Sequence, residues 1–132
     1  MKAGRYMNIK EFYDFIGEDY NEVIGRLRLE SRVYKYLMKY PEDKSFDMLL
    51  NAMKEKNYEE AFRAAHTIKG TSLNFSFNGF AAVASEITEK LRHFENTEAI
   101  ESDPDLNRLL MEAGEKYVNI ITGINQIDPV EQ

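Results

Sequence analysis

The chain has 132 residues, 43% of them apolar and 30% charged, which suits one domain around one core. A formal net charge of −6 argues against general nucleic-acid binding, because phosphate contacts need clustered Lys and Arg. The absence of Cys excludes disulfides, thiolate zinc sites and thiol catalysis; with no run near the ~20 apolar residues of a membrane span and no secretory signal in Met1-Lys2-Ala3-Gly4-Arg5-Tyr6, a cytoplasmic protein with no membrane contact is expected.

Apolar spacing reads helical nearly throughout. Ile9, Phe12, Tyr13 and Ile16 form a short first stripe, and Tyr20, Val23, Ile24 and Leu27 a second. Val33, Leu37 and Met38 continue toward Pro41, where a helix should stop. The Tyr34, Tyr36 and Tyr40 cluster reads as packing. Phe46, Leu49, Leu50 and Met53 predict a helix over about 44–56. Asn57 and Glu60 resemble a capping box opening the next helix, 58–74, with Tyr58, Ala61, Phe62, Ala65, Ile68 and Ser72 inward. Asn74, Asn78 and Gly79 suit a tight turn, and Phe80, Val83, Ala84, Ile87 and Leu91 define the helix after it. The polar stretch 95–103 predicts a loop, without the ligand spacing of a calcium site. Asp103-Pro104 predicts the start of a long last helix through Leu106, Leu109, Leu110, Ala113, Tyr117, Ile120, Ile121 and Ile124, ended by Asp128-Pro129.

No strand alternation is present. The expected fold is all-α: one domain, 1–132, with short N-terminal helices over about 8–40 capping an antiparallel four-helix bundle over about 44–127.

The stretch from Ala65 to Ser72 is the most informative. His66 falls at the boundary of the buried face of the 58–74 helix, with Lys69 and Gly70 at i+3 and i+4 beside it. An interior Gly costs a helix roughly 1 kcal/mol relative to Ala, so bare backbone there points to close approach by another molecule. A neutral imidazole offers a lone pair near physiological pH, and an ammonium is a mobile point charge suited to phosphate oxygens. Lys69 alone reads as a solvated charge; its neighbours promote it. Gly70 could instead permit close helix packing, but its place on the outer side argues against this. Arg63 reads as solvated, and His93, near a helix end, as structural.

The pattern His66-x-x-Lys69-Gly70, preceded by Ala65 and followed by small residues, resembles the histidine phosphotransfer (HPt) domains of phosphorelays. The resemblance covers most of the chain, including the hairpin around 74–79 and the long helix after it. It implies a four-helix bundle that accepts a phosphoryl group on His66 from a receiver-domain aspartate and passes it to another receiver. It further implies that Lys69 contacts the phosphoryl group and that Gly70 clears room for the receiver. An apolar docking patch near the motif, using Leu73 and side chains of the N-terminal helices, is expected beside it. Partners would be response-regulator receivers and a hybrid histidine kinase. Two positions depart from the pattern: Ser76 stands where many members have Gly, with Asn74, Asn78 or Gly79 left to serve the turn, and Thr88 stands where many have Gln.

The chain has no P-loop, no kinase-type Gly-rich loop and no evident Mg²⁺ cluster, so the expectation is a phosphoryl carrier without ATP-dependent kinase activity and without a cofactor of its own. Mg²⁺ would belong to the receiver. A ferritin-like metal bundle needs Glu-x-x-His on two helices, but Arg63 and Lys90 stand three residues before the two histidines. A pure interaction module is the other rival. The chain ends soon after its last helix, so no kinase domain is expected, and a monomer is the default.

Overall fold

Eight α-helices carry the described part of the chain, residues 6–129 of the computed structural model: α1 Ile9–Phe15, α2 Tyr20–Leu27, α3 Glu30–Lys39, α4 Ser45–Lys54, α5 Tyr58–Asn74, α6 Asn78–Leu91, α7 Thr97–Glu101 and α8 Leu106–Ile124. Helices α4, α5, α6 and α8 form the antiparallel bundle. Helix α5 packs between α4 and α6, and α6 also packs on α8. Phe46 of α4 stacks on Tyr117 of α8 with ring centroids 4.7 Å apart, closing the circuit. No helix among the described residues is long and apolar enough to cross a membrane.

Local chemistry explains most helix ends. Asn8 and Glu11 form a reciprocal capping box at α1, with bonds of 2.8 and 2.9 Å. Asn57 accepts from the Glu60 N–H at 3.2 Å and starts α5. Pro41 stops α3, and residues Tyr40–Glu42 tighten into a 3-10 turn.

Three expectations from the sequence are corrected. Residues 95–103 are not all loop. Asn96 accepts from the Ala99 N–H at 3.1 Å, and buried Ile100 anchors the single turn of α7. The last helix does not start at Asp103-Pro104. The Asp103 carboxylate accepts from the Asp105 N–H at 2.8 Å and pairs with Lys90 at 2.9 Å, so the turn is held outside the helix and α8 begins at Leu106. The Lys90 ammonium beside it keeps the Asp103 carboxyl below the usual carboxylate range. Leu50, placed on the inner face of α4, is exposed; Ala52 takes the buried position with Phe46 and Leu49.

The turn between α5 and α6 corrects the reading of Ser76. Ser76 itself adopts the left-handed conformation, with φ of 59°, while Asn78 and Gly79 already belong to α6. The Phe77 N–H reaches back to the Ser72 carbonyl at 2.8 Å and the Ser76 N–H to the Leu73 carbonyl at 3.1 Å, a Schellman ending that normally takes Gly. The Ser76 hydroxyl offsets the backbone cost. It accepts from Arg26 at 2.6 Å and donates to Glu22 at 3.2 Å, both on α2.

The N-terminal helices hold this end of the bundle by polar contacts. Arg26 also donates to the Leu73 carbonyl at 2.8 Å, a second donor to an oxygen at the end of α5 that already accepts from the Ser76 N–H. The Tyr13 hydroxyl donates to the Phe75 carbonyl at 2.7 Å. Helix α6 has no side-chain cap of its own, and Glu18 accepts from the Gly79 N–H at 2.8 Å. The Asn78 amide, with Ser76 and Arg26, holds the Glu22 carboxyl below its ordinary range.

Helix α1 meets α8 at Gly123. A Cβ there would lie 2.8 Å from the ring of fully buried Phe12 and 3.0 Å from Phe15. Gly123→Ala is therefore expected to destabilise the protein by about 1–2 kcal/mol despite the better helix propensity of Ala. Urea unfolding monitored by circular dichroism checks this; a gain in stability would contradict the tight contact.

Candidate functional site around His66

Helix α5 buries Tyr58, Ala61, Ala64, Ala65, Ile68 and Ser72. The opposite face therefore carries His66, Gly70 and Leu73, all exposed, with Lys69 half-buried at the flank. His66, read from the sequence at the boundary of the buried face, is exposed. Leu73 is 45% exposed, a large apolar side chain two turns beyond His66.

Lys69 has no hydrogen-bond or ion-pair partner among the described residues, although its charge acts on the Glu89 carboxylate. The residue stands one helical turn from His66, and its ammonium is unpaired. Arg63, by contrast, is tied to Glu59 at 2.6 Å on an exposed surface.

A Cβ added at Gly70 would meet nothing within 4 Å, so this glycine serves no packing inside the chain. Gly70→Ala is expected to stabilise the isolated protein by about 0.5–1 kcal/mol, since it removes a mid-helix glycine without a clash. A lower melting temperature in this variant would show a packing need that the open surface does not display.

Three residues of the site carry no signal legible in the sequence. The Phe62 ring, expected inward, is half-buried and runs nearly parallel to the His66 imidazole, at 10° with centroids 6.3 Å apart. The Arg92 guanidinium, just past the end of α6, lies 5.5 Å from the centroid of the same Phe62 ring. Glu89 receives both arms of Arg92, at 3.0 and 2.6 Å, and this pairing holds its carboxyl below the ordinary range. Phe62–His66 and Glu89–Arg92 are neighbours at i, i+4 and i, i+3 along one helix, whereas the approach of Arg92 to Phe62 arises from the packing of α6 on α5, which helical periodicity does not report.

Thr88 does not reach this surface. It is buried, and its hydroxyl donates to the Ala84 carbonyl of its own helix at 2.7 Å. His93 stands in the exposed turn after α6, with Glu95 at 4.0 Å as its nearest acid. No group of three or more His, Asp or Glu among the described residues is placed to hold a metal ion.

One further turn along α5, a groove of about 650 Å³ opens beside the site helix. Leu27, Tyr36, Tyr40, Thr71, Asn74 and Phe75 line it. Of the tyrosine cluster, Tyr40 packs edge-on against Phe75 and Phe77, Tyr36 is exposed at the groove, and Tyr34 donates to the Pro129 carbonyl at 2.6 Å.

What the surface offers chemically is an accessible nitrogen base, a free cation one turn away and unobstructed backbone between them. A family model described as the Hpt domain matches residues 43–116, which takes in α4, α5, α6 and the first half of α8. No curated protein and no solved structure matches the chain.

Proposed function

The chain belongs to the Hpt-domain family, and on that basis we propose that it carries a phosphoryl group on His66 from the aspartyl phosphate of one receiver domain to the aspartate of another. Hpt domains are phosphocarriers of two-component signalling, not kinases. The observation that carries the assignment to His66 is the accessible imidazole flanked by the uncommitted Lys69 and by open space at Gly70.

In the forward step, the unprotonated ring nitrogen of His66 donates its lone pair to phosphorus. The bond from phosphorus to the receiver's carboxylate oxygen breaks, and the carboxylate departs with the bonding pair. The ring keeps the added positive charge until its other N–H loses a proton. Such a transfer needs alignment and neutralisation of charge on the moving group. The rigid α5 helix fixes the imidazole, and Lys69 supplies positive charge to the phosphoryl oxygens. The receiver would supply the divalent metal and, in this forward step, the carboxylate that leaves. Gly70 lets the receiver's loops come close to the backbone, while Leu73 gives them an apolar contact. The working state is proposed to be a cytoplasmic monomer.

A phosphorylated receiver mixed with this protein is expected to leave on it a phosphate that is acid-labile and alkali-stable, the signature of a nitrogen–phosphorus bond. A label stable to acid, or no label from any receiver of the source organism, would count against the proposal. Gly70→Ala adds a second criterion: transfer slows while stability rises.

A further inference from the structure

The site holds an acid that a phosphate carrier does not obviously need. Glu89 is 58% exposed, yet both its oxygens are taken by Arg92. The same carboxylate interacts with the charge of Lys69. Arg92 in turn lies over Phe62, the ring that runs parallel to His66. Arg92 is thus held by this carboxylate before any phosphate arrives.

Building on the assignment of His66 as phosphoacceptor, we infer that Glu89 shortens the lifetime of the phosphoryl group on His66 by competing with it for Arg92. A phosphoryl group brings about −1.5 to −2 charges to the same surface. Glu89 opposes it in three ways. It repels the phosphoryl oxygens directly. It keeps the Arg92 fork occupied in a bidentate pair. It also favours the positively charged phosphoimidazole, the form in which the ring is the better leaving group. All three act in one direction, toward a phosphoryl group that is easily given up. A carrier that must release its cargo to a second receiver gains from this.

Glu89→Gln preserves the shape of the side chain and removes its charge. With the phosphodonor receiver removed, the label on this variant is expected to persist about three- to tenfold longer than on the wild type at low ionic strength, the scale expected for one like charge several ångströms from a dianion near a protein surface. The equilibrium with the receiver should move toward phosphohistidine by a similar factor. Both gains should shrink at high salt, which a purely structural role would not produce. In an Arg92→Gln background the gain should be smaller, because no guanidinium is left to release. Equal or shorter persistence in Glu89→Gln at low salt overturns the inference, and an undiminished gain without Arg92 overturns the competition for the guanidinium. The two readings fail separately: an unlabelled wild type defeats the phosphoacceptor assignment, whereas a labelled wild type with unchanged lifetime in Glu89→Gln defeats only the role of Glu89.

Discussion

His66→Gln is expected to reduce phosphoryl labelling by a phosphorylated receiver to background while leaving the helical circular dichroism and the melting temperature essentially unchanged. The structural half of this expectation follows from exposure. The imidazole makes no hydrogen bond among the described residues, and its one ring contact, with Phe62, is at 6.3 Å. Surface substitutions of this kind usually change stability by less than about 0.5 kcal/mol. The chemical half follows from the lack of a substitute. Gln offers no nitrogen lone pair of useful basicity. The other histidine, His93, sits in a turn with acidic Glu95 as its nearest charged partner in place of a free ammonium. His93→Gln should therefore label normally. Label that survives in His66→Gln, or that vanishes in His93→Gln, would move the phosphoacceptor elsewhere.

The largest stability loss is expected from Phe77→Ala. Phe77 is fully buried at the junction of four segments. Its ring lies 6.2 Å from Phe12 and 6.1 Å from Tyr13, both on α1, 5.5 Å from Tyr40 in the 3-10 turn and 5.0 Å from Phe75 at the end of α5. Truncating a buried Phe removes its transfer free energy and leaves a cavity, together about 3–5 kcal/mol. Against a total stability of about 5–15 kcal/mol, this is a large fraction. A fall in melting temperature on the order of 10–20 °C is expected by calorimetry, because each kcal/mol moves a domain of this size by a few degrees. Phe77→Leu should lose much less, since it refills most of the space. A drop of under about 1 kcal/mol in the Ala variant would show that the N-terminal helices do not depend on this aromatic junction.

The two glycine variants place the same change in opposite settings. Gly70 sits inside α5 and Gly123 in the last turn of α8, so Ala gains helix propensity at each, more at Gly70. The surroundings differ: open space at Gly70 and the Phe12 ring at Gly123. Opposite signs of the stability change would separate a glycine kept for a visitor from one kept for the core.

Helix positions were largely legible because their cause is local. The 3.6-residue period of Ala61, Ala65, Ile68 and Ser72 orients α5 without help from the rest of the chain. His66, Lys69 and Gly70 could be grouped for the same reason, since i, i+3 and i+4 are neighbours on any helix. Two of the errors came where a side chain had two local options. Asp103 can cap a helix at Pro104 or hold a turn, and its choice depends on Lys90, thirteen residues earlier in the chain. Asn96 can sit in a loop or start a helix, and buried Ile100 tips it toward the helix.

By itself the sequence determined an all-α chain, the face on which His66 lies, and the cation and the gap beside it. Tertiary structure alone decided that Glu89 and Arg92 are brought to the Phe62 side of that face. It also decided that Ser76 can hold a glycine's conformation because Arg26 and Glu22 grip its hydroxyl, and that Glu18 starts α6 from 61 residues away. The physical reason is one of range. Periodicity and capping act within a turn or two of helix, whereas these contacts depend on which helices lie side by side and at what rotation, and that is set by the packing of the whole core.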